Sequence, residues 1–187
     1  MNIGFALCGS FCTYHSVFPV MEVLAEKHDL TPIFSPAAYM TDTRFGTAQS
    51  HIHKAAQICR KDPLYAISQV EPIGPKKLLD ALIIAPCTGN TLAKLAHGIA
   101  DSPVTMAAKS HLRNGRPILI AVSTNDALAG AAENIGKLLA KKHYYFVPFG
   151  QDDPENKPTS MVADFCKLPQ ALTLALDGKQ LQPILLK

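Results

Sequence analysis

The chain has 187 residues, 48% of them hydrophobic, and a formal net charge of +3, which suits one domain with a substantial core and leaves no room for a second. Its Lys and Arg residues are scattered rather than gathered into a basic run with interleaved aromatics, and no stretch approaches the ~18 consecutive apolar residues of a membrane span, so neither nucleic acid nor a membrane is an expected partner. The N-terminal MNIGFALCGSF lacks a basic region ahead of its apolar run, and five cysteines form no zinc-type pattern; the expectation is a cytoplasmic protein with mostly buried, unpaired thiols and no metal site.

In chain order, residues 3–7 (IGFAL) predict a short buried strand, Cys8-Gly9-Ser10 the turn after it, and residues 17–28 a helix carrying Pro19 in its first turn. Residues 30–35 predict a second strand and 43–60 a longer helix with a more polar face. The Ile- and Leu-rich runs 81–86 and 116–123 are the clearest buried strands, with helices at 90–97, 103–113 and 126–141. Residues 144–150 predict a further strand, 151–160 a polar loop and 161–177 a last helix. Repeated strand–helix order with apolar strands predicts a single α/β domain over 1–187, a three-layer Rossmann-like parallel sheet with helices on both faces.

In such sheets ligands bind outside the carboxyl ends of the strands, where four polar turns converge: Gly9-Ser10, Ser35-Pro36, Thr88 to Thr91 and Ser123 to Asp126. Thr88, Gly89, Asn90 and Thr91 open a helix after Pro86, a place where backbone N–H groups hold anions. G-x-G-x-x-G is absent after the first strand, and Gly9-Ser10 reads equally as a phosphate turn and as an ordinary strand-to-helix turn. His51 and His53, two apart on a helix, point in different directions and do not share a metal, and His15 is as readily structural as ligand-facing. Lys109, His111, Arg113 and Arg116 cluster near a helix end, where cations complement the dipole, and Asn114-Gly115 stops that helix. No G-x-S-x-G, H-E-x-x-H, P-loop or C-x-x-C motif occurs, which argues against the common hydrolases, zinc proteases and nucleotide triphosphatases.

The turns CGSF, APCTGNT and AVSTND resemble those of the flavoprotein superfamily that includes the homo-oligomeric flavin-containing Cys decarboxylases. The superfamily motif Pro-Ala-Ser-Ala-Asn-Thr falls on Pro86-Cys87-Thr88-Gly89-Asn90-Thr91, three of six positions being identical. The resemblance implies an FMN or phosphate-ligand site drawn from Gly9, Ser10, Phe11, Ser35, Thr88, Gly89, Asn90, Thr91 and Ser123. The decarboxylase motif Pro-x-Met-Asn-x-x-Met-Trp falls on residues 122–129, where only Asn125 survives, so cysteine decarboxylation is not expected.

Eight blocks in order, GSFCTYH, TDTRFG, EPIGPKKLLD, IAPCTGNTLAKLA, AAKSHLRNGRP, STNDAL, YYFVPFGQDDP and GKQLQP, resemble one branch of that superfamily, the dipicolinate synthase B subunits of spore-forming bacteria. This resemblance implies an oxidoreductase component of the mother cell, working beside the synthase's A subunit, which supplies NADP. The substrate would be dihydrodipicolinate or its hydroxylated tetrahydro precursor, and the assembly a homo-oligomer. A dicarboxylate needs donors at both ends: the helix N-termini at Ser10 and Thr88 to Thr91 for one, Arg44 or Lys109 for the other. His51 is the candidate for proton transfer, Asn125 a second catalytic candidate, and residues 150–160 a lid, an inter-chain contact or a solvated loop. A non-catalytic flavin- or phosphate-ligand-binding partner of the A subunit is the competing reading, and motifs alone do not separate the two.

Overall fold

The computed structural model describes residues 1–186. Five strands, β1 (Asn2–Leu7), β2 (Asp29–Phe34), β3 (Ala81–Cys87), β4 (Ile118–Thr124) and β5 (Tyr144–Phe146), pair in parallel in the order β2-β1-β3-β4-β5. All seven residues of β3 and the first six of β4 are buried, as strands covered on both faces must be. The register between them shifts between Ile84 and Cys87, around Pro86, which has no N–H to give the ladder.

Among the described residues eight α-helices cover this sheet: α1 (Tyr14–Ala25), α2 (Pro36–Met40), α3 (Ala48–Cys59), α4 (Ile67–Val70), α5 (Gly89–His97), α6 (Pro103–Leu112), α7 (Ala132–Leu139) and α8 (Leu168–Leu176). One layer is built where α1 packs on α3 and α8; the other where α5 packs on α6 and α7, and α4 on α6. No helix among the described residues is long and apolar enough to cross a membrane.

The sheet continues beyond the parallel part. β6 (Phe149–Gly150) pairs antiparallel with β7 (Met161–Ala163), and β7 pairs antiparallel with the carboxyl end of β4 through Ser123 with Val162 and Thr124 with Met161. The sheet is therefore mixed, with seven strands. Two sequence expectations are corrected here. Residues 144–150 are two strands split at Val147-Pro148, and residues 161–177 begin as a strand. The Asp164 carboxylate accepts from Cys166 N at 3.1 Å and caps a single 3-10 turn, and α8 begins only where Pro169 fits a first helical turn.

Two other helices start later than periodicity suggests. Thr47 caps α3, its hydroxyl accepting from Ser50 N at 3.1 Å, and residues 43–46 form a tight turn instead, Thr43 and Gly46 exchanging backbone bonds at 3.0 and 3.1 Å. Residues 126–131 form turns on the Asp126 carbonyl, which takes Ala129 N at 2.9 Å and Ala131 N at 3.1 Å, so α7 starts at Ala132. The short helices α2 and α4 lack the length that a periodic signal needs.

The cationic cluster at the end of α6 is partly structural. His111 is fully buried, and its Nε2 lies 3.1 Å from the Pro117 carbonyl, to which it donates, while Nδ1 has no partner. Burial pushes its pKa down to about 4; Arg116 adds to the depression, and the Pro117 carbonyl and Asp80 oppose it. The folded chain thus resists a proton that the unfolded chain accepts near pH 6.5. The stability contribution is full above about pH 6.5, declines as pH falls, and is lost by about pH 4, a change of about 3 kcal/mol. Urea unfolding of the wild type and of His111→Gln checks this: the wild type should lose more stability between pH 7 and 4 than the variant, and parallel pH profiles would refute it.

Candidate ligand cleft

The carboxyl ends of β1, β3 and β4 open into a cleft of about 780 Å³. It lies at the switch point of the strand order, where the connections from β1 and β3 leave in opposite directions and make room for a ligand. Gly9, Ser10 and Phe11 come from the first turn, Thr88, Gly89 and Asn90 from the start of α5, and Ser123 to Asp126 from the end of β4.

Two hydroxyls tie these turns together. Ser10 Oγ lies 2.7 Å from Ser123 Oγ, bridging the ends of β1 and β4 across β3. The Ser10 carbonyl in turn accepts from Thr13 Oγ1 at 2.8 Å, which holds the turn. Thr88 is the N-cap of α5, but its side chain makes no cap bond; its Oγ1 lies 3.2 Å from Thr91 Oγ1. Helical geometry leaves the first amides of α5 without helical acceptors.

A carboxylate lies against that helix end. Thr124 Oγ1 donates to Asp126 Oδ1 at 2.5 Å, and a Cβ at position 89 would sit 2.7 Å from the same oxygen. Gly89 is therefore a position of close approach. The chain has placed its own anion where sequence reasoning expected a ligand's, and a second anion there meets a like charge.

The far wall is a loop. Asp152, Lys157, Ser160 and Val162 from the 151–160 loop and β7 line the cleft, and Thr43 and Phe45 line its rim. Thr159 Oγ1 donates to the Asn125 carbonyl at 2.7 Å and Leu128 N donates to the Thr159 carbonyl at 3.0 Å, so the loop is bonded to the β4 turn. Lys157 is the only cation lining the cleft among the described residues, and its Nζ lies 3.4 Å from Asp152 Oδ2.

Of the residues expected at the site, Gly9, Ser10, Phe11, Thr88, Gly89, Asn90, Ser123 and Asn125 line this cleft. Ser35 and Thr91 do not: both are buried behind it. The Ser35 hydroxyl accepts from Ala38 N at 3.2 Å as the cap of α2, and Thr91 Oγ1 donates to Cys8 Sγ at 3.4 Å. Burial pushes the Cys8 thiol up to about 11, so it stays protonated near neutral pH, and all five cysteines are free. Arg44 is exposed on the 43–46 turn, its guanidinium 4.8 Å from the Phe45 ring centre. Lys109 lies elsewhere, on α6 in a separate groove.

His51 is buried in a side pocket of about 280 Å³ whose lining includes Phe11, Cys12 and Phe45, which also line the cleft. Its ring meets Tyr14 edge-on at 4.7 Å, burial pushes its pKa down, and Nε2 has no partner among the described residues. His53 is away from His51, in a shallow groove beside Glu22 and Lys54. No group of three or more His, Cys, Asp or Glu side chains among the described residues is arranged to hold a metal ion. Asp152 and Lys157 are charged cleft residues to which sequence reasoning gave no role, and Asp126, expected at the site as the end of the Ser123 to Asp126 turn, was given none of its own. For Asp126 the signal was an acid inside a strand-end turn; for the loop pair there was none beyond loop composition.

A flavoprotein family model matches residues 1–167, and the B subunit of dipicolinate synthase from Bacillus subtilis (strain 168) is 46% identical over 187 residues, 100% of this chain and 94% of that protein. The chain belongs to the flavoprotein family, in its dipicolinate synthase B-subunit branch. The crystal structure of the dipicolinate synthase B subunit from Bacillus halodurans C superposes with a TM-score of 0.91 at 46% identity, covering 100% of this flavoprotein and 96% of that chain. Other solved structures share the fold alone: DmrB of Burkholderia xenovorans, in complex with FMN, superposes at TM-score 0.68 and 17% identity over 94% of this chain and 95% of that one. The FMN-dependent cysteine decarboxylase SpaF does so at TM-score 0.69 and 22% identity, over 94% and 97%.

Proposed function

We propose that this flavoprotein is the B subunit of a dipicolinate synthase, that its cleft holds FMN, and that it works with the synthase's NADP-binding A subunit in the mother-cell cytoplasm of a sporulating bacterium. The reaction would oxidise dihydrodipicolinate, or the hydroxylated tetrahydro precursor after loss of water, to pyridine-2,6-dicarboxylate. The observation that carries the reading is one cleft lined by glycine, hydroxyl and amide groups from three strand-end turns, on a chain that matches such a synthase component along its whole length.

The residues fit a flavin. Gly9 and Ser10 allow close backbone approach and hydrogen bonding, Ser123 and Asn90 add polar contacts, and Phe11, Phe45 and Val162 supply apolar walls for a ring. The Asp126 carboxylate at α5 favours the Gly9-Ser10 turn over the α5 end as the seat of a phosphate. FMN, when bound, supplies a reversible hydride acceptor.

The chain's own residues then have three tasks. Lys157, the cleft's lone cation among the described residues, pairs with a substrate carboxylate once it leaves Asp152, in place of the expected Lys109. Oxidation of the dihydro ring removes one hydride and one proton, the hydride ending on NADP; Asp126, on the rigid β4 turn, takes the proton as a carboxylate. The lid, bonded to Asn125, excludes water and orients the ring. His51, behind Phe11, is left a packing role.

Titration of the purified chain with FMN tests the cofactor. The flavin spectrum should shift on binding, and Ser10→Ala with Ser123→Ala should weaken binding by about 10- to 100-fold, the equivalent of one or two lost polar contacts. FMN left free by the wild type would remove the flavin from the reading. Dipicolinate formation by the A subunit, by this chain and by the two together tests the reaction. Product only from the pair supports it, and equal product without this chain reduces it to a non-catalytic partner.

A further inference from the structure

The groove that holds Lys109 has no part in the cleft. It lies where α5 and α6 end and β5 begins, at the amino ends of the strands and away from the ligand cleft, with a volume of about 590 Å³. Its apolar surface is Leu95, Ile99, Leu112 and Tyr144, and Ile99 is 47% exposed. Around it stand Lys109, Arg113, Lys141 and Lys142, all exposed, and no acidic residue lines it.

The charges there are uncompensated. Lys141 Nζ donates to the Ala96 carbonyl at 2.7 Å and the Leu95 carbonyl at 3.3 Å, closing the end of α5. Lys109, Arg113 and Lys142 have no carboxylate within 4.0 Å among the described residues, unlike Lys61, which meets Asp29 at 2.7 Å, and Lys137, which meets Glu133 at 2.6 Å; what sets them apart from single unpaired lysines is that they share one groove. The nearby Asp101 is already held by Lys94 at 2.8 Å. Three free cations stand around an apolar floor whose exposed part is Ile99, with Leu112 half-buried beside it, and water satisfies the charges but not those side chains.

We propose that this groove docks an acidic segment of the synthase's A subunit, one apolar side chain resting on Ile99 and Leu112 and carboxylates meeting Lys109, Arg113 and Lys142. The proposal rests on the partner reading above. Charge complementarity selects the chemistry of the occupant: four basic side chains and no acid line the groove, which fits carboxylates carried by the partner subunit. Docking at this end of the sheet leaves the cleft mouth open to substrate.

Calorimetric titration of the purified A subunit into the full chain tests it, with Lys109→Glu, Arg113→Glu and Lys142→Glu combined, and with Ile99→Ser alone. Reversal of Lys76 and Lys179, exposed residues that line neither groove nor cleft, is the charge control. The triple variant should bind the partner at least about 10-fold more weakly, Ile99→Ser should weaken it also, and wild-type affinity should fall with added salt. Equal affinity of wild type and triple variant overturns the groove and leaves the partner reading standing. No binding by the wild type sinks both. A triple variant that loses self-association while keeping the partner assigns the groove to a second copy and also overturns the proposal.

Discussion

Gly74→Ala is expected to destabilise the fold by about 3 kcal/mol, the upper range for forcing a methyl into a packed interior. The added Cβ would overlap the Ser110 carbonyl oxygen, a backbone atom inside α6 that no side-chain rotation relieves. The two segments are already stitched together from both sides. Asn114 Nδ2 donates to the Gly74 carbonyl at 3.0 Å, and Ser110 Oγ donates to the Glu71 carbonyl at 2.8 Å. Gly74 has an ordinary helical φ of −71°, so the effect is steric and owes nothing to backbone strain. Urea midpoints measure it, with Gly136→Ala as the control: that position in α7 has open space, and alanine there should stabilise by roughly 0.5–1 kcal/mol. A Gly74→Ala midpoint equal to wild type would mean that residues 71–74 and α6 separate freely, against the packing described.

Asp126→Asn should lower turnover of the reconstituted synthase by about 100- to 10,000-fold, the usual contribution of a positioned proton acceptor. The substitution keeps size and the bond from Thr124, since the amide oxygen accepts as the carboxylate oxygen does. Flavin affinity should hold or rise, because a negative charge leaves the neighbourhood of a dianion. The comparison of KM with kcat separates roles: loss in kcat at unchanged KM marks proton transfer, while a loss confined to KM would make Asp126 a positioning residue. A fall of less than tenfold in kcat would end its candidacy as the base.

Much of this fold is legible without coordinates because its strands are apolar throughout. Runs such as 81–86 and 116–123 have one physical use, burial on both faces, and the parallel sheet follows from them. The antiparallel β6–β7 pair is illegible for the opposite reason: strands of two and three residues carry no period, and Met161–Ala163 joins the helical pattern of α8 until Pro169 and the Asp164 cap divide them. At the cleft, small polar residues at strand ends are readable because topology alone brings those ends together. Which neighbour faces in is not: Thr91 differs from Asn90 by about 100° of helix rotation, and that turn takes it from the cleft to the Cys8 thiol. Long cations are the hardest, since Lys109 and Lys157 look alike in sequence and only the position of their elements assigns them to opposite ends of the sheet.

The outer edge of β4 is shared by two partners, β5 in parallel along Ile118 to Ile120 and β7 in antiparallel at Ser123 and Thr124. Neither partner extends past the other, so the edge is used up without a long added strand. The parallel core and the roof of the cleft thereby attach to separable parts of one strand. Insertions or deletions within 151–158 change the roof of the cleft while both ends of the loop stay pinned by β6 and by Thr159, and the five-stranded core does not register the change. The same frame can thus carry a different roof without rebuilding the glycine, serine and asparagine turns beneath it.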